Sequence, residues 1–335
     1  MTARDLVTRI ERWFRKYQRP LPWRANYEPY RVWVSEVMAQ QTRIDVVLAY
    51  FEKFLARFPT IEALAAASDD DVTAAWSGLG YYRRARMLRD GARAVRERFG
   101  GKLPRGVDEL QSIPGIGRYT AGAIASIAFR RPAPIVDGNV ARILARLFAI
   151  DEALGTPALM RAAWTRAEAL VALASAPRDF NQGLMEIGAL ICTPRKPACG
   201  HCPLRAACAA FAAGRVAELP RPKSKPATRT MTIPLYVVTN RGRVMMQREN
   251  GPLMRGMYHL PHGDTSLLTG KPLRVKNAES VGSFRHTVTN RRIVFEVLVV
   301  RRSSLVGEWI HPRDLATIPH PSYVRKALRL AGICK

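Results

Sequence analysis

Leu110-Gln-Ser-Ile-Pro-Gly-Ile-Gly-Arg-Tyr-Thr-Ala121 sets Pro114-Gly115-Ile116-Gly117 between a short helical segment and a longer helical run that continues to Phe129. Two glycines around one apolar residue make a tight turn that another backbone can approach closely. The amides left free at the start of the second helix then face whatever is bound. This is a helix-hairpin-helix pattern, and Gly115 and Gly117 are its candidate phosphate contacts. An ordinary tight turn between two helices has the same outline, so the charge of the chain has to decide between them.

The charge favours phosphate. The 335 residues carry 53 Lys or Arg against 27 Asp or Glu, a formal net charge of +26. Lysines and arginines laid along a phosphate backbone release condensed counterions, which makes nucleic acid the first expected partner ahead of a merely basic soluble protein. Residues 231–335 hold 17 basic and 6 acidic side chains, and residues 1–215 hold 32 and 20. Both halves are basic, which points to two domains facing one polyanion rather than to a single tethering tail.

Around the hairpin the first 215 residues are rich in Ala and keep helical spacing, as in Val32, Trp33, Val37, Met38 and again in Val140, Ile143, Leu144, Leu147. Pro220, Pro222 and Pro226 then break both helix and inner strand, so residues 216–230 read as a basic extended linker. Beyond it, Ile233 to Thr239 and Arg292 to Val300 are rich in Val and Ile, with Asn240-Arg241-Gly242 as a turn. The expected architecture is an all-helical domain over 1–215, the linker, and an α/β domain over 231–335. No apolar run is long enough for a membrane span and no signal peptide is evident, so no membrane association is expected.

Four of five cysteines fall together at Cys192, Cys199, Cys202 and Cys208. Disulfides suit a secreted chain, and this sequence shows no secretory signal, so the cluster reads as a metal site. Zinc sites generally use two short knuckles, whereas here only Cys199-Gly-His-Cys202 is knuckle-like. Spacing therefore favours iron-sulfur over zinc and leaves both open. His201 is expected to face solvent or stand behind the ligands, and Cys334 to be an unliganded thiol.

Two carboxylates stand out. Glu36 has Val32, Trp33, Ala39 and Gln40 as helical neighbours, so it is either a desolvated general acid or a side chain snorkelling from a helix edge. Asp137, directly before a helical run, is a natural N-cap, a role that does not exclude catalysis.

Taken together, Leu21-Pro-Trp-Arg24, Ser35-Glu-Val-Met-Ala-Gln-Gln-Thr42, Gly78-Leu-Gly-Tyr-Tyr82, Ile113-Pro-Gly-Ile-Gly-Arg-Tyr-Thr120, Val136-Asp-Gly-Asn-Val140 and the cysteine spacing resemble the MutY family of adenine DNA glycosylases, within the helix-hairpin-helix superfamily that includes endonuclease III. The resemblance covers nearly the whole chain. It implies a 4Fe-4S cluster on the four cysteines and a double-stranded DNA substrate with adenine opposite 8-oxoguanine or guanine. Glu36 would protonate N7 of the flipped adenine and Asp137 would face the cationic sugar, with Tyr119 and Asn139 in support. Trp23, Arg24 and Gln182 match residues around the base, while Gln41 and Tyr81 match residues inserted into the opened duplex. It further implies a monomer, cytoplasmic and nucleoid-associated if the source is bacterial.

Some positions depart from the pattern. Ala39 stands where the family usually has Leu, which makes a smaller wedge. Tyr119 occupies the place of the lysine in bifunctional relatives; a phenol cannot form a Schiff base, so a monofunctional glycosylase is expected. Gly251-Pro-Leu-Met-Arg-Gly-Met-Tyr-His-Leu-Pro261 and Phe284-Arg-His-Thr287 resemble the family's MutT-like (Nudix-fold) domain, without the glutamate cluster of a nucleotide hydrolase. The family's Phe-Ser-His signature for 8-oxoguanine appears as Val288-Thr289-Asn290, leaving Thr289 and Asn290 as the candidate sensors. Two alternatives remain at this point: a glycosylase for another mismatch, such as thymine opposite guanine, and a non-catalytic iron-sulfur DNA-binding protein.

Overall fold

The computed structural model describes residues 1–222, 229–251, 254–263, 275, 277–288, 291–300 and 307–334. Contacts divide the chain into two compact units. One comprises Met1–Leu55, Thr60–Ala65 and Asp90–Ser224; the other comprises Ala56–Pro59, Ala66–Arg89 and Lys225–Lys335.

The first unit is built of helices. Its Ala3–Tyr17 helix opens with a capping box, in which the Thr2 hydroxyl accepts from the Asp5 amide and the Asp5 carboxylate accepts from the Thr2 amide. The Gly138–Leu147 helix buries Val140, Ile143, Leu144 and Leu147, the spacing read from the sequence, against Leu6, Ile10, Ala163, Phe180 and Leu184. Each such side chain contributes roughly 1.5–3 kcal/mol by leaving water. The Pro177–Leu190 helix approaches closely because two glycines face its neighbours. A Cβ on Gly183 would meet Ile10 Cγ2 at 2.7 Å, and one on Gly188 would meet Asn139 Cβ at 2.7 Å.

The hairpin forms as read, between the Val107–Gln111 and Arg118–Ala123 helices. Gly115 adopts φ 83°, the left-handed region that a side chain disfavours, and Ile116 is buried. The second helix does run on towards Phe129, but its last turn widens into a π-helix over Ile124–Ala128, with the Phe129 amide donating to the Ile124 carbonyl at 3.3 Å.

The expected linker begins later than residue 216. Leu219 is buried, its carbonyl accepts from Arg146 Nε at 2.8 Å, and Arg221 pairs with Asp151 at 2.6 Å. One apolar and one charged anchor thus tie this stretch to the helical unit as far as residue 222.

In the second unit, six strands among the described residues form one sheet: β1 (Arg229–Asn240), β2 (Arg243–Arg248), β3 (Tyr258–His259), β4 (Glu279–Val288), β5 (Arg291–Val300) and β6 (Glu308–Ile310). The order is β3-β2-β1-β5-β4, with β6 on β2; β1 and β5 run parallel and the remaining pairs antiparallel. The turn read at Asn240-Arg241-Gly242 joins β1 to β2 with positive φ at Arg241 and Gly242 (47° and 73°), which matches the twist of a two-residue hairpin. Ile233, Leu235 and Val237 alternate onto the face covered by Tyr323, Val324, Ala327 and Leu328 of the Ser322–Leu330 helix.

Residues 66–89 lie in this second unit, although the helical reading of the first 215 residues put them in the first. Polar anchors account for the grouping. Ser77 and Tyr82 hydroxyls both donate to the His320 carbonyl, at 2.9 and 3.2 Å, and Arg248 pairs with Asp70 at 2.5 Å. Among the described residues no helix is long and apolar enough to cross a membrane.

Candidate functional site

In the first unit one cavity gathers side chains from distant parts of the chain. Its walls include Trp23, Arg24, Glu36, Tyr119, Asp137, Asn139 and Glu186. Glu36 projects from the Pro29–Ala39 helix, which starts with Pro29 and is capped by the Glu28 carboxylate accepting from the Tyr30 and Arg31 amides. That helix is buried along most of its length, so Glu36 has no edge from which to snorkel; it is 7% exposed.

Tyr119 donates its hydroxyl to Glu36 Oε2 at 2.7 Å. Burial pushes the Glu36 carboxyl up to about 7, with the Asp137 charge adding to the rise; the Tyr119 hydrogen bond and the Arg24 charge work against it. A carboxyl so placed keeps its proton in near-neutral water, as a general acid must. The Tyr119 phenol is itself driven well above its ordinary value by burial and by both carboxylates, so it stays a neutral donor.

Asp137 is the N-cap of the Gly138–Leu147 helix and accepts from the Val140 amide at 2.7 Å. The capping role is therefore real and leaves the carboxylate on the cavity wall. Burial raises its pKa, while the Val140 and Asn139 hydrogen bonds oppose that rise. Asn139 Nδ2 donates to Asp137 Oδ2 at 3.0 Å, and Asn139 Oδ1 accepts from Arg142 Nη2 at 2.9 Å. Arg142 also donates to the carbonyls of Cys192 and Gly188, both at 2.8 Å. An unbroken set of hydrogen bonds thus runs from the cysteine loop to the Asp137 carboxylate, and nothing in the sequence around Arg142 announces it.

Trp23 packs edge-on against Phe51 at 5.1 Å. Gln182 is buried and accepts from Arg24 Nε at 3.0 Å. Gln41 is exposed at φ 56°, and in the second unit Tyr81 is 53% exposed at φ 50°. Both are non-glycine residues in the left-handed region, as are Tyr27, Arg130, Ala149, Arg241 and Asn277 among the described residues. Thr289 and Asn290 lie outside the described residues.

The four clustered thiols line one cavity in the first unit, with Arg146, Ile191 and Phe211. His201 is exposed, as expected for a residue that is not a ligand. Burial and the neighbouring cysteines push the Cys202 thiol up to about 11, and Arg146 Nη1 lies 3.3 Å from Cys192 Sγ. Four sulfurs around one shared cavity suit a metal cluster.

Comparison with known proteins agrees. Residues 34–169 match the HhH-GPD superfamily of base excision DNA repair proteins, and residues 192–208 match the iron-sulfur binding domain of endonuclease III. An adenine DNA glycosylase of Buchnera aphidicola subsp. Schizaphis graminum is 32% identical over 92% of this chain and 93% of its own length. The chain belongs to the adenine DNA glycosylase family.

Its cofactor is a 4Fe-4S cluster, for which residues 192–208 form the iron-sulfur binding domain of this adenine DNA glycosylase family member. The adenine DNA glycosylase of Rattus norvegicus is 46% identical over 62% of this chain and 42% of its own length, so the chain spans about four tenths of that relative. Among solved structures, a thermostable thymine-DNA glycosylase aligns with a TM-score of 0.56 at 29% identity, over 63% of this chain and 97% of that one. Endonuclease III in a non-covalent DNA complex aligns with a TM-score of 0.52 at 20% identity, over 64% of this chain and 98% of that one; this likeness concerns the fold alone.

Proposed function

We propose that the chain removes adenine from duplex DNA where the adenine stands opposite 8-oxoguanine or guanine, as a monofunctional, monomeric glycosylase. The observation that carries this reading is the Glu36 carboxyl, buried beside Tyr119 and Asp137 and raised to about 7. Adenine flipped into the cavity meets Trp23 and Arg24. Glu36 passes its proton to N7, the C1′–N9 bond breaks, and its electron pair leaves with the base. The Asp137 carboxylate faces the cationic sugar, as the paired carboxylates of glycosidases do. Water adds at C1′ and returns a proton to Glu36, which restores the acid. Tyr119 holds Glu36 in place, and as a phenol it leaves the abasic strand intact.

When bound, the iron-sulfur cluster supplies four metal-thiolate bonds that cross-link Cys192, Cys199, Cys202 and Cys208. Arg142 then carries the position of that loop to Asn139 and Asp137. The hairpin amides around Gly115 and Gly117 hold a phosphate of the strand, and Gln41 and Tyr81 enter the opened duplex. The second unit reads the opposite base as a MutT-like domain. One of its cavities is lined by Tyr81, His286 and Thr287, and Thr289 and Asn290 follow in the chain after Val288.

A single-turnover assay on three duplexes tests this reading. Adenine released from A opposite 8-oxoguanine and from A opposite G, with T opposite G untouched, is the expected result. Cleavage of the T opposite G duplex alone would make the chain a thymine glycosylase.

A further inference from the structure

Glu186 was not singled out by any sequence pattern, yet it is the most heavily bonded carboxylate beside the cavity. It is 2% exposed and sits one turn after Gln182 on the Pro177–Leu190 helix, so the two share a face. Arg19 gives it three hydrogen bonds, from its amide at 3.1 Å, Nε at 2.7 Å and Nη2 at 2.9 Å. Arg24 gives it two, at 3.3 and 3.0 Å, and also donates to Gln182 and to the Arg19 carbonyl, while its guanidinium covers the Phe14 ring at 5.0 Å. Arg24 is therefore fixed on several sides, and its side chain is only 8% exposed.

A guanidinium so little solvated acts on its neighbours with little screening. The charged or titratable groups that face Glu36 are Tyr119 from the hairpin helix, Asp137 from the cap of the Gly138–Leu147 helix, and Arg24 from the Pro22–Arg24 turn. Arg19 and Glu186 flank Arg24 on the same wall, and Arg43, exposed and paired with Asp45 at 3.1 Å, completes its charged lining. Of the three groups facing Glu36, Arg24 alone carries a positive charge, and that charge favours a carboxylate where the proposed reaction needs a carboxylic acid.

We infer that Glu186 is a positioning residue for base excision: it fixes the plane of Arg24 against the cavity and offsets the Arg24 charge, so that Glu36 keeps its proton at neutral pH. The inference rests on the reading of Glu36 as proton donor. Glu186 suits the task because it remains ionised throughout the working range. Burial would raise its carboxyl, but the Arg19 and Arg24 hydrogen bonds outweigh burial and hold it down at about 2. Its negative charge is therefore constant over the range in which Glu36 titrates.

The test is the pH profile of single-turnover cleavage, with the full chain and its cluster, on a duplex bearing A opposite 8-oxoguanine, from about pH 5 to about pH 9. Glu186→Gln keeps the shape and loses the charge, so the alkaline limb is expected to move down by roughly one unit, with cleavage above neutrality falling about tenfold more than cleavage below it. Glu186→Asp keeps the charge and should leave the limb near its original place. A uniform loss at every pH in Glu186→Gln, or no change at all, would overturn the inference. Should Glu186→Gln fail to fold, Arg24→Gln carries the test with the opposite sign: the limb moves up, and an unmoved limb refutes the coupling. A Glu36→Gln control separates the two readings. Near-normal turnover there contradicts the donor role itself, whereas an inactive Glu36→Gln beside an unmoved limb in Glu186→Gln sinks this inference alone.

Discussion

Tyr119 and Glu36, 83 positions apart, meet through one hydrogen bond of 2.7 Å, donated by the phenol to the carboxylate. That bond holds the Glu36 carboxyl lower than burial alone would put it. Removing the bond with Tyr119→Phe is therefore expected to raise the Glu36 pKa further. The proton is then kept to higher pH, and the alkaline limb of the cleavage profile moves upward. The maximal rate should fall by roughly tenfold, because the acid is no longer oriented. A limb that moves downward would show that the phenol does not act on Glu36 as described.

Much of this site was legible in the sequence, and the reasons are local. A glutamate among Val32, Trp33 and Val37 on one helix stands out as a candidate, although only the packing of that helix decides between burial and a helix edge, and an aspartate just before Gly138-Asn139-Val140 caps the helix that follows. The hairpin glycines and the β1 to β2 turn are likewise short-range signals. What the sequence hid depends on contacts across long separations. Arg19 and Arg24 reach Glu186 over 167 and 162 positions, and Arg142 reaches Cys192 over 50. Residues 66–89 look helical and were read with the helical half, but their anchors lie at Arg248 and His320, which helix periodicity cannot show. Gln182, expected to contact the flipped base, is buried and accepts from Arg24 Nε across 158 positions, a contact no local pattern announces.

The protein should purify brown, with broad absorbance near about 400 nm from iron-sulfur charge transfer. Visible spectroscopy and metal analysis after anaerobic purification check this. A colourless preparation with stoichiometric zinc would contradict the cluster.

Because position 119 carries a phenol, the product strand should be abasic and intact, nicked only after alkali or heat. Borohydride reduction during turnover is expected to trap no covalent enzyme-DNA adduct. A strong adduct, comparable to that of a lysine-bearing relative, would mean that another amine performs lyase chemistry.

In the second unit, Thr289→Ala should reduce the preference for A opposite 8-oxoguanine over A opposite G by about 1 kcal/mol, the scale of one neutral hydrogen bond. Cleavage of the A opposite G duplex should barely change. Comparison of the two single-turnover rates reads the effect, and an unchanged ratio would remove Thr289 from the sensing role.

The central claim is that Glu36 supplies the proton and Asp137 the counter-charge. The most direct measurement is the single-turnover rate of Glu36→Gln and Asp137→Asn on a duplex with A opposite 8-oxoguanine, alongside the affinity of each variant for that duplex. The account predicts that both variants bind as the unmodified chain does while cleavage falls at least ~100-fold, the low end for losing one acid-base group. Near-normal cleavage by either variant would contradict it.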